Sequence, residues 1–269
     1  MASRKDIGAR RIGYTRRCGW VDWGHARPGG VAGLKAQIDR ERGRDVALRG
    51  VDLTFEGVPA YVLTYGQGMG VSAFGQVFKI STDHLWVVKK GLTTAARERV
   101  ALGIFLTASH EFERFQGRLP LSWMTRGSSF SVEDLVSNLI GFYAAYRGFS
   151  VARLRQICGE VSLEESYRIW DRHTPGGISH IKNYSTRPVL FPTKEGVRSP
   201  ADISFPAELA TIRPAPEGGD WVRPARGQLD QRLVGMGAKI NVSRAGRVEA
   251  AAPGSMAFPA RGRGQQQRR

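Results

Sequence analysis

The chain has little cysteine, little acid and no long apolar run, and each shortage removes a class of protein. Cys18 and Cys158 are its only cysteines. Two are too few for a disulfide framework and lack the paired spacing of a structural zinc site, so either reads as a reduced core thiol. No window approaches eighteen uninterrupted apolar residues, so no membrane span is expected. The opening Met-Ala-Ser-Arg-Lys-Asp-Ile-Gly-Ala-Arg-Arg has no apolar secretory stretch. The expectation is a chain made in the cytoplasm which, if it acts elsewhere, leaves by a signal-independent secretion system. Acids number 24 against 40 Lys and Arg, a net charge of +16 over 269 residues. That excludes an acidic solvating chain and makes a polyanion the first partner to consider. With 41% hydrophobic residues, the chain has enough apolar side chain for a sizeable core.

The charge is unevenly placed. Met1 to Arg17 carries six basic residues and one acid, and so does Arg244 to Arg269. Most of the excess therefore sits in two ends that read as poorly ordered. Such ends would bind nucleic acid weakly and in a salt-sensitive, sequence-independent way. The body between them shows no nucleic-acid-binding motif.

Hydrophobic periodicity divides the chain. Val58 to Tyr65, Val71 to Ile80 and His84 to Lys89 are rich in β-branched and aromatic residues. Gly66-Gln67-Gly68-Met69-Gly70 and Ser81-Thr82-Asp83 read as turns between them, which predicts a three-stranded antiparallel meander. A helix-like run ends near Arg42. The helical period returns from Thr94 to Phe115, capped by Thr93 or Thr94 and stopped by Gly117; again from Val132 to Arg147, capped by Ser131 and stopped by Gly148; and from Leu163 to Trp170. Prolines recur from Pro175 to Pro224 without sustained periodicity. The expected fold is α+β: a short antiparallel β meander packed with a core of two to four helices. The expected organisation is a catalytic-type core over 1–173, a proline-rich extension wrapping it over 174–243, and a disordered Arg/Gly/Gln tail over 244–269.

Two helices carry the chemistry. On the first, Ile104, Ala108, Phe112 and Phe115 form an apolar stripe about 80° wide with Glu111 at its edge. A carboxylate there must be neutral, paired or bound to a cation. It is either a structural salt bridge to an arginine or a functional group. On the second, Leu135, Leu139, Phe142, Tyr143 and Tyr146 form an apolar face. Opposite lie Asp134, Ser137, Asn138, Gly141, Ala144 and Ala145, small residues that let another element approach, with short polar groups that need partners inside the protein. Ser131 with Asp134 resembles a capping box, which leaves Asn138 and Glu133 over.

Three chemistries fit. His25, His110, Glu111 and the acids of the second helix could form a hydrolytic acid–base or divalent-metal centre, with zinc as the example and His25, His110 and Glu133 as ligands. His110-Glu111-Phe112-Glu113-Arg114 looks like a zincin helix in which arginine replaces the second histidine. Cys18, beside Arg16, Arg17 and Gly19, could be the nucleophile of a cysteine–histidine hydrolase. The third possibility is a non-enzymatic basic module for nucleic acid or an acidic partner. Glycine-rich Gly66 to Gly70 lacks a lysine and joins strands, so it reads as a turn and not a phosphate loop.

Gly19-Trp20-Val21-Asp22-Trp23-Gly24-His25, the helix with His110-Glu111-Phe112-Glu113, and Ser128-Ser129-Phe130-Ser131-Val132-Glu133-Asp134-Leu135-Val136-Ser137-Asn138 resemble an uncharacterised bacterial family known only as a domain of unknown function. Its boxes read Gly-Trp-Ile-Asp-x-x-His and Ser-Phe-Ser-x-Glu-Asp-Leu-x-Ser-Asn, and the likeness spans about residues 12 to 150. The resemblance implies a bacterial source and one site holding Asp22, His25, Glu111, Glu133, Asp134, Ser137 and Asn138. It supplies no reaction, and Cys18 is outside the pattern.

The resulting expectation is a hydrolase that cuts amide or peptide bonds in an anionic envelope polymer such as peptidoglycan. Glu111 is the expected general base, with His25, His110, Asp22 and Asp134 around it and Ser137, Asn138, Trp20 and Arg27 binding substrate. An exported antibacterial effector of this kind would be matched by a cognate immunity protein.

Overall fold

The structure is a computed structural model and describes residues 2–26, 29–44, 52–73, 76–118, 129–193, 205–225, 239–244 and 248–251. In chain order the elements are α1 (Arg4–Gly8), β1 (Ile12–Thr15), β2 (Gly19–Asp22), α2 (Gly29–Asp39), β3 (Asp52–Phe55), β4 (Val58–Ala73), β5 (Gln76–Lys89), α3 (Thr94–Arg118), α4 (Asp134–Arg147), α5 (Val151–Cys158), α6 (Leu163–His173), β6 (Val222–Ala225), β7 (Lys239–Val242) and β8 (Val248–Ala251). This is the expected α+β class, a β meander with a helical core.

The strands form a two-stranded β1–β2 hairpin and a six-stranded sheet of order β6-β5-β4-β3-β7-β8. All pairs are antiparallel except β3 with β7. Alternation along β4 splits the core, because successive side chains face opposite sides of a sheet. Tyr61, Leu63 and Tyr65 join α2, α3 and α4 in the main core, whereas Ala60 lies on the other face with Leu53, Phe55, Val87, Ala225 and Val242. Phe142 of α4 is fully buried in the main core, and truncating it to alanine costs about 3–5 kcal/mol.

The meander differs from the expectation in its strands: both expected turns, Gly66 to Gly70 and Ser81 to Asp83, lie inside strands, and the expected strand Val71 to Ile80 is divided between β4 and β5. The glycine-rich stretch is not a turn: β4 runs through it and pairs continuously with β5, Gly66 opposite Asp83 and Gly68 opposite Ser81. Strand pairing overrides the local turn preference, and a Cβ at Gly66 would collide with the Thr82 carbonyl. The hairpin turn that does form between β3 and β4 is Glu56-Gly57, both at positive φ (51° and 73°), the geometry of a two-residue primed turn. Pro224 stands on the edge strand β6, where a missing N–H is tolerated.

Both chain ends carry more order than their charge suggests. At the N-terminus, α1 buries Ile7 and is tied to α6 by a two-pronged Arg4–Asp171 pair with bonds of 2.7 and 2.8 Å. At the other end, β8 lies inside the stretch read as disordered tail and pairs with β7; 252–269 lie outside the described residues. Some helix boundaries follow the expected capping residues, whereas α4 begins at Asp134 with Glu133 and not Ser131 at its N-cap. Thr93 caps α3, its hydroxyl accepting from Ala96 N at 3.3 Å. Gly148 and Gly159 end α4 and α5 in the left-handed conformation. Helix α3 passes through Gly117 to Arg118.

Candidate functional site

A cavity of about 550 Å³ opens where α3, the N-terminal end of α4, β4 and the loop after β2 meet. Its polar wall is acidic. Asp22, Glu113, Glu133 and Asp134 face it, with His25, Arg11, Gln67, Gln116 and Asn138, while Tyr65, Phe105 and Phe112 supply the apolar wall.

Local structure explains how the acids arrive there. Helix α4 is buried almost all round from Asp134 to Ala144, so its small polar face does pack inside the protein. Gly141 admits the loop after β2: a Cβ there would lie 3.0 Å from the His25 carbonyl oxygen and 3.2 Å from Ala26 Cα. Ser137 Oγ accepts from Asp22 N at 2.9 Å, joining β2 to α4. The Asp22 carboxylate accepts from Gly24 N at 2.7 Å and from Arg11 Nη2 at 3.0 Å. It therefore orders the loop that presents His25. Asp134 Oδ2 accepts from Ser131 N at 2.8 Å, one half of a capping box.

The three remaining acids are electrostatically frustrated. Glu133 is 4% exposed, and its Oε2 has no hydrogen-bond partner among the described residues. Burial first, then the neighbouring Asp22 and Glu113, push its carboxyl up to about 7. Burial, followed by Glu133 and Glu113, raises Asp134 well above the ordinary carboxylate range. Glu113 is also raised, mainly by burial, against the opposing effect of the Phe130 N–H that bonds its Oε2 at 2.6 Å. His25 is half exposed within the concavity, with Nδ1 3.9 Å from Asp134 Oδ1. Loss of hydration lowers its pKa, which favours the neutral imidazole.

Of the residues read from the sequence, Asp22, His25, Glu133, Asp134 and Asn138 share this cavity, and Ser137 supports it from beneath. Glu111 does not line it. It pairs with His84 Nε2 at 3.0 Å, a histidine in place of the expected arginine. The buried arc of α3 is rotated from the predicted stripe: Phe112 and Glu113 are buried, and Glu111 and Phe115 are only half-buried. His110 is likewise outside the lining and packs against Phe130, ring centroids 5.8 Å apart. His25, His110 and Glu133 are therefore not gathered round one point, and no group of three His, Cys, Asp or Glu among the described residues is arranged to hold a metal ion.

Trp20 belongs to a separate core, edge-on to Tyr14 at 5.3 Å and to Trp170 at 5.4 Å. Arg27 lies outside the described residues. Cys18 is 1% exposed and away from the cavity wall. The adjoining Cys158 thiol and burial push its pKa far up, so the neutral thiol is favoured over the nucleophilic thiolate.

Sequence reasoning missed Glu113, Gln116, Arg11 and Gln67. A signal for two of them existed. Ser109, Glu113 and Gln116 are spaced four and three apart, a polar row beside the apolar one, and all three are buried. Gln67 was hidden by the turn reading of its glycines; in β4 its Nε2 donates to Ser109 Oγ at 2.7 Å.

Fold and cavity together define an α+β protein with an acid-lined cleft. Compared with protein families, curated proteins and solved structures, the chain matches none.

Proposed function

We propose that this chain is a bacterial hydrolase of amide or peptide bonds whose acid–base group is Glu133. One observation carries the reading: a buried carboxyl with an unpartnered oxygen, pushed up to about 7, faces an open cavity. A group with its pKa near neutrality is half protonated there and can both give and take a proton. In the proposed step, neutral His25 takes a proton from water as the water oxygen attacks the carbonyl carbon. Protonated Glu133 then gives its proton to the departing nitrogen as the C–N bond breaks. Arg11 and Asp22 hold the His25 loop, and Asn138 and Gln116 offer amide groups to a polar backbone.

Peptidoglycan is the substrate to test first. It is anionic, which suits the excess of basic residues, and its peptides supply the amide bonds. In this reading the chain is an exported antibacterial effector with a cognate immunity protein. A carboxyl pair in a cleft also suits glycosidic cleavage, and the same polymer distinguishes the two: amide cleavage releases amino groups, glycosidic cleavage releases reducing ends.

The test is digestion of purified peptidoglycan by the full chain and by Glu133→Gln. New amino groups from the wild type and none from a folded variant support the proposal. An equally active variant, or no cleavage by either, removes it. A repeat after chelation reads out any divalent-metal requirement.

A further inference from the structure

Away from the cavity, the chain's two cysteines meet. Cys18 is the last residue of the β1–β2 turn and Cys158 ends α5, roughly 140 residues later in the sequence. Backbone pairing holds them in register: Arg16 N donates to Gly159 O at 2.9 Å, Arg17 N to Cys158 O at 3.1 Å, and Thr15 bridges Glu160 in antiparallel fashion. Arg17 Nη1 adds a bond to Ile157 O at 3.3 Å. The two thiols lie in the same core cluster, 1% and 0% exposed.

We propose that Cys18 and Cys158 are a redox pair that closes to an intramolecular disulfide in an oxidising environment, stapling the β1–β2 hairpin to α5. Two features separate this arrangement from a chance meeting of core residues. The chain contains no other cysteine, so the pairing has one solution. A short antiparallel ladder also fixes both backbones before any covalent bond exists, which limits the distortion a bridge would impose. The hairpin so anchored leads directly into Asp22 and His25, so the crosslink would hold the loop that presents them.

The chemistry is thiol–disulfide exchange with a low-molecular-weight disulfide such as glutathione disulfide. One cysteine thiolate attacks that disulfide, forming a mixed disulfide and releasing one glutathione thiolate. The second cysteine thiolate attacks the protein sulfur of the mixed disulfide and expels the other glutathione. Two protein thiols lose two electrons and two protons, and one glutathione disulfide becomes two glutathione thiols. Because both sulfurs are buried, exchange takes place in a locally opened or newly made chain, and refolding then seals the bond inside the core. In a reducing cytoplasm the pair stays open; outside it the closed form is favoured.

The full chain, incubated with glutathione disulfide in mild denaturant and returned to buffer, should lose both thiols together. Alkylation under full denaturation with mass spectrometry reads this: a monomer lighter by two hydrogens, a linked Cys18–Cys158 peptide in the digest, and both cysteines alkylated again after reduction. By loop-closure entropy, Tm should rise by about 10 °C and fall back with reductant. Cys158→Ser should instead retain glutathione on Cys18 and show no gain in Tm. Two alkylatable thiols after oxidation, stable glutathione adducts on the wild type, or covalent dimers would each overturn the proposal. The wild-type thiol count decides it even if the variant fails to fold.

Discussion

The carboxylates at the protein's surface and those in the cavity face opposite surroundings. At the surface Asp171 pairs with Arg4, Glu98 with Arg147 and Glu41 with Arg97. Arginine is abundant, so pairing is easy to arrange. In the cavity, Glu113, Glu133 and Asp134 form no ion pair with an arginine or lysine among the described residues; they are each other's neighbours, and their pKa values rise. A chain with 40 basic residues leaves three acids together in its interior. Stability alone does not favour that arrangement, so the cavity is where a working site is to be sought.

The largest expected effect comes from removing the acid with the unpartnered oxygen, Glu133. Glu133→Gln should reduce hydrolysis by about 10²–10⁴-fold while leaving the protein folded, measured as initial rates beside a thermal melt. The same change at Glu111, which pairs with His84 outside the cavity, should leave the rate within about threefold. A reversed order of these two effects would return the site to Glu111.

Next in size is the pH dependence. The folded-state pKa of Glu133 lies above its ordinary value of 4.5, at about 7, so the folded protein binds more protons than the unfolded chain between those values. Its contribution to stability is fully present below about pH 4.5 and is lost as pH rises through 7, by on the order of 3 kcal/mol. Denaturant titrations at both ends of that window should show it, and Glu133→Gln should flatten the fall. A surface acid held low by its partner, such as Asp171, contributes with the opposite sign.

Smaller effects test the scaffold. Gly141→Leu should cost about 1–3 kcal/mol by overpacking, displace the His25 loop and lower activity more than stability. Arg4→Ala, at an exposed pair, should leave the melting temperature and hydrolysis nearly unchanged, because solvent and salt screen such a pair.

How much of this was legible depended on how local each signal was. Thr93 accepts from the backbone N–H of Ala96 and Gly148 ends α4 in the left-handed conformation, and such signals are readable because they are short-range. Glu113 was passed over because it lies about 160° round the helix from Glu111, away from the apolar stripe, and the buried arc extends to it through the polar Ser109 and Gln116. The Glu56-Gly57 hairpin was missed because the usual Asn or Asp is absent at its first position. Strand β7 pairs in parallel with β3, a contact between distant segments that no local pattern announces.

By itself the sequence determined the α+β class, the Thr93 cap of α3, the Gly148 stop of α4 and the small polar face of α4. These follow from residue type and short-range period, whereas the grouping of Asp22, His25, Glu133, Asp134 and Asn138 was implied by the family resemblance and is a matter of tertiary structure. Only the tertiary structure decided that Glu113 and not Glu111 enters the cavity, that Gly66 to Gly70 is strand, and that Cys18 meets Cys158. Those outcomes depend on helix rotation, strand register and the packing of segments far apart in the chain, which local sequence preferences do not encode.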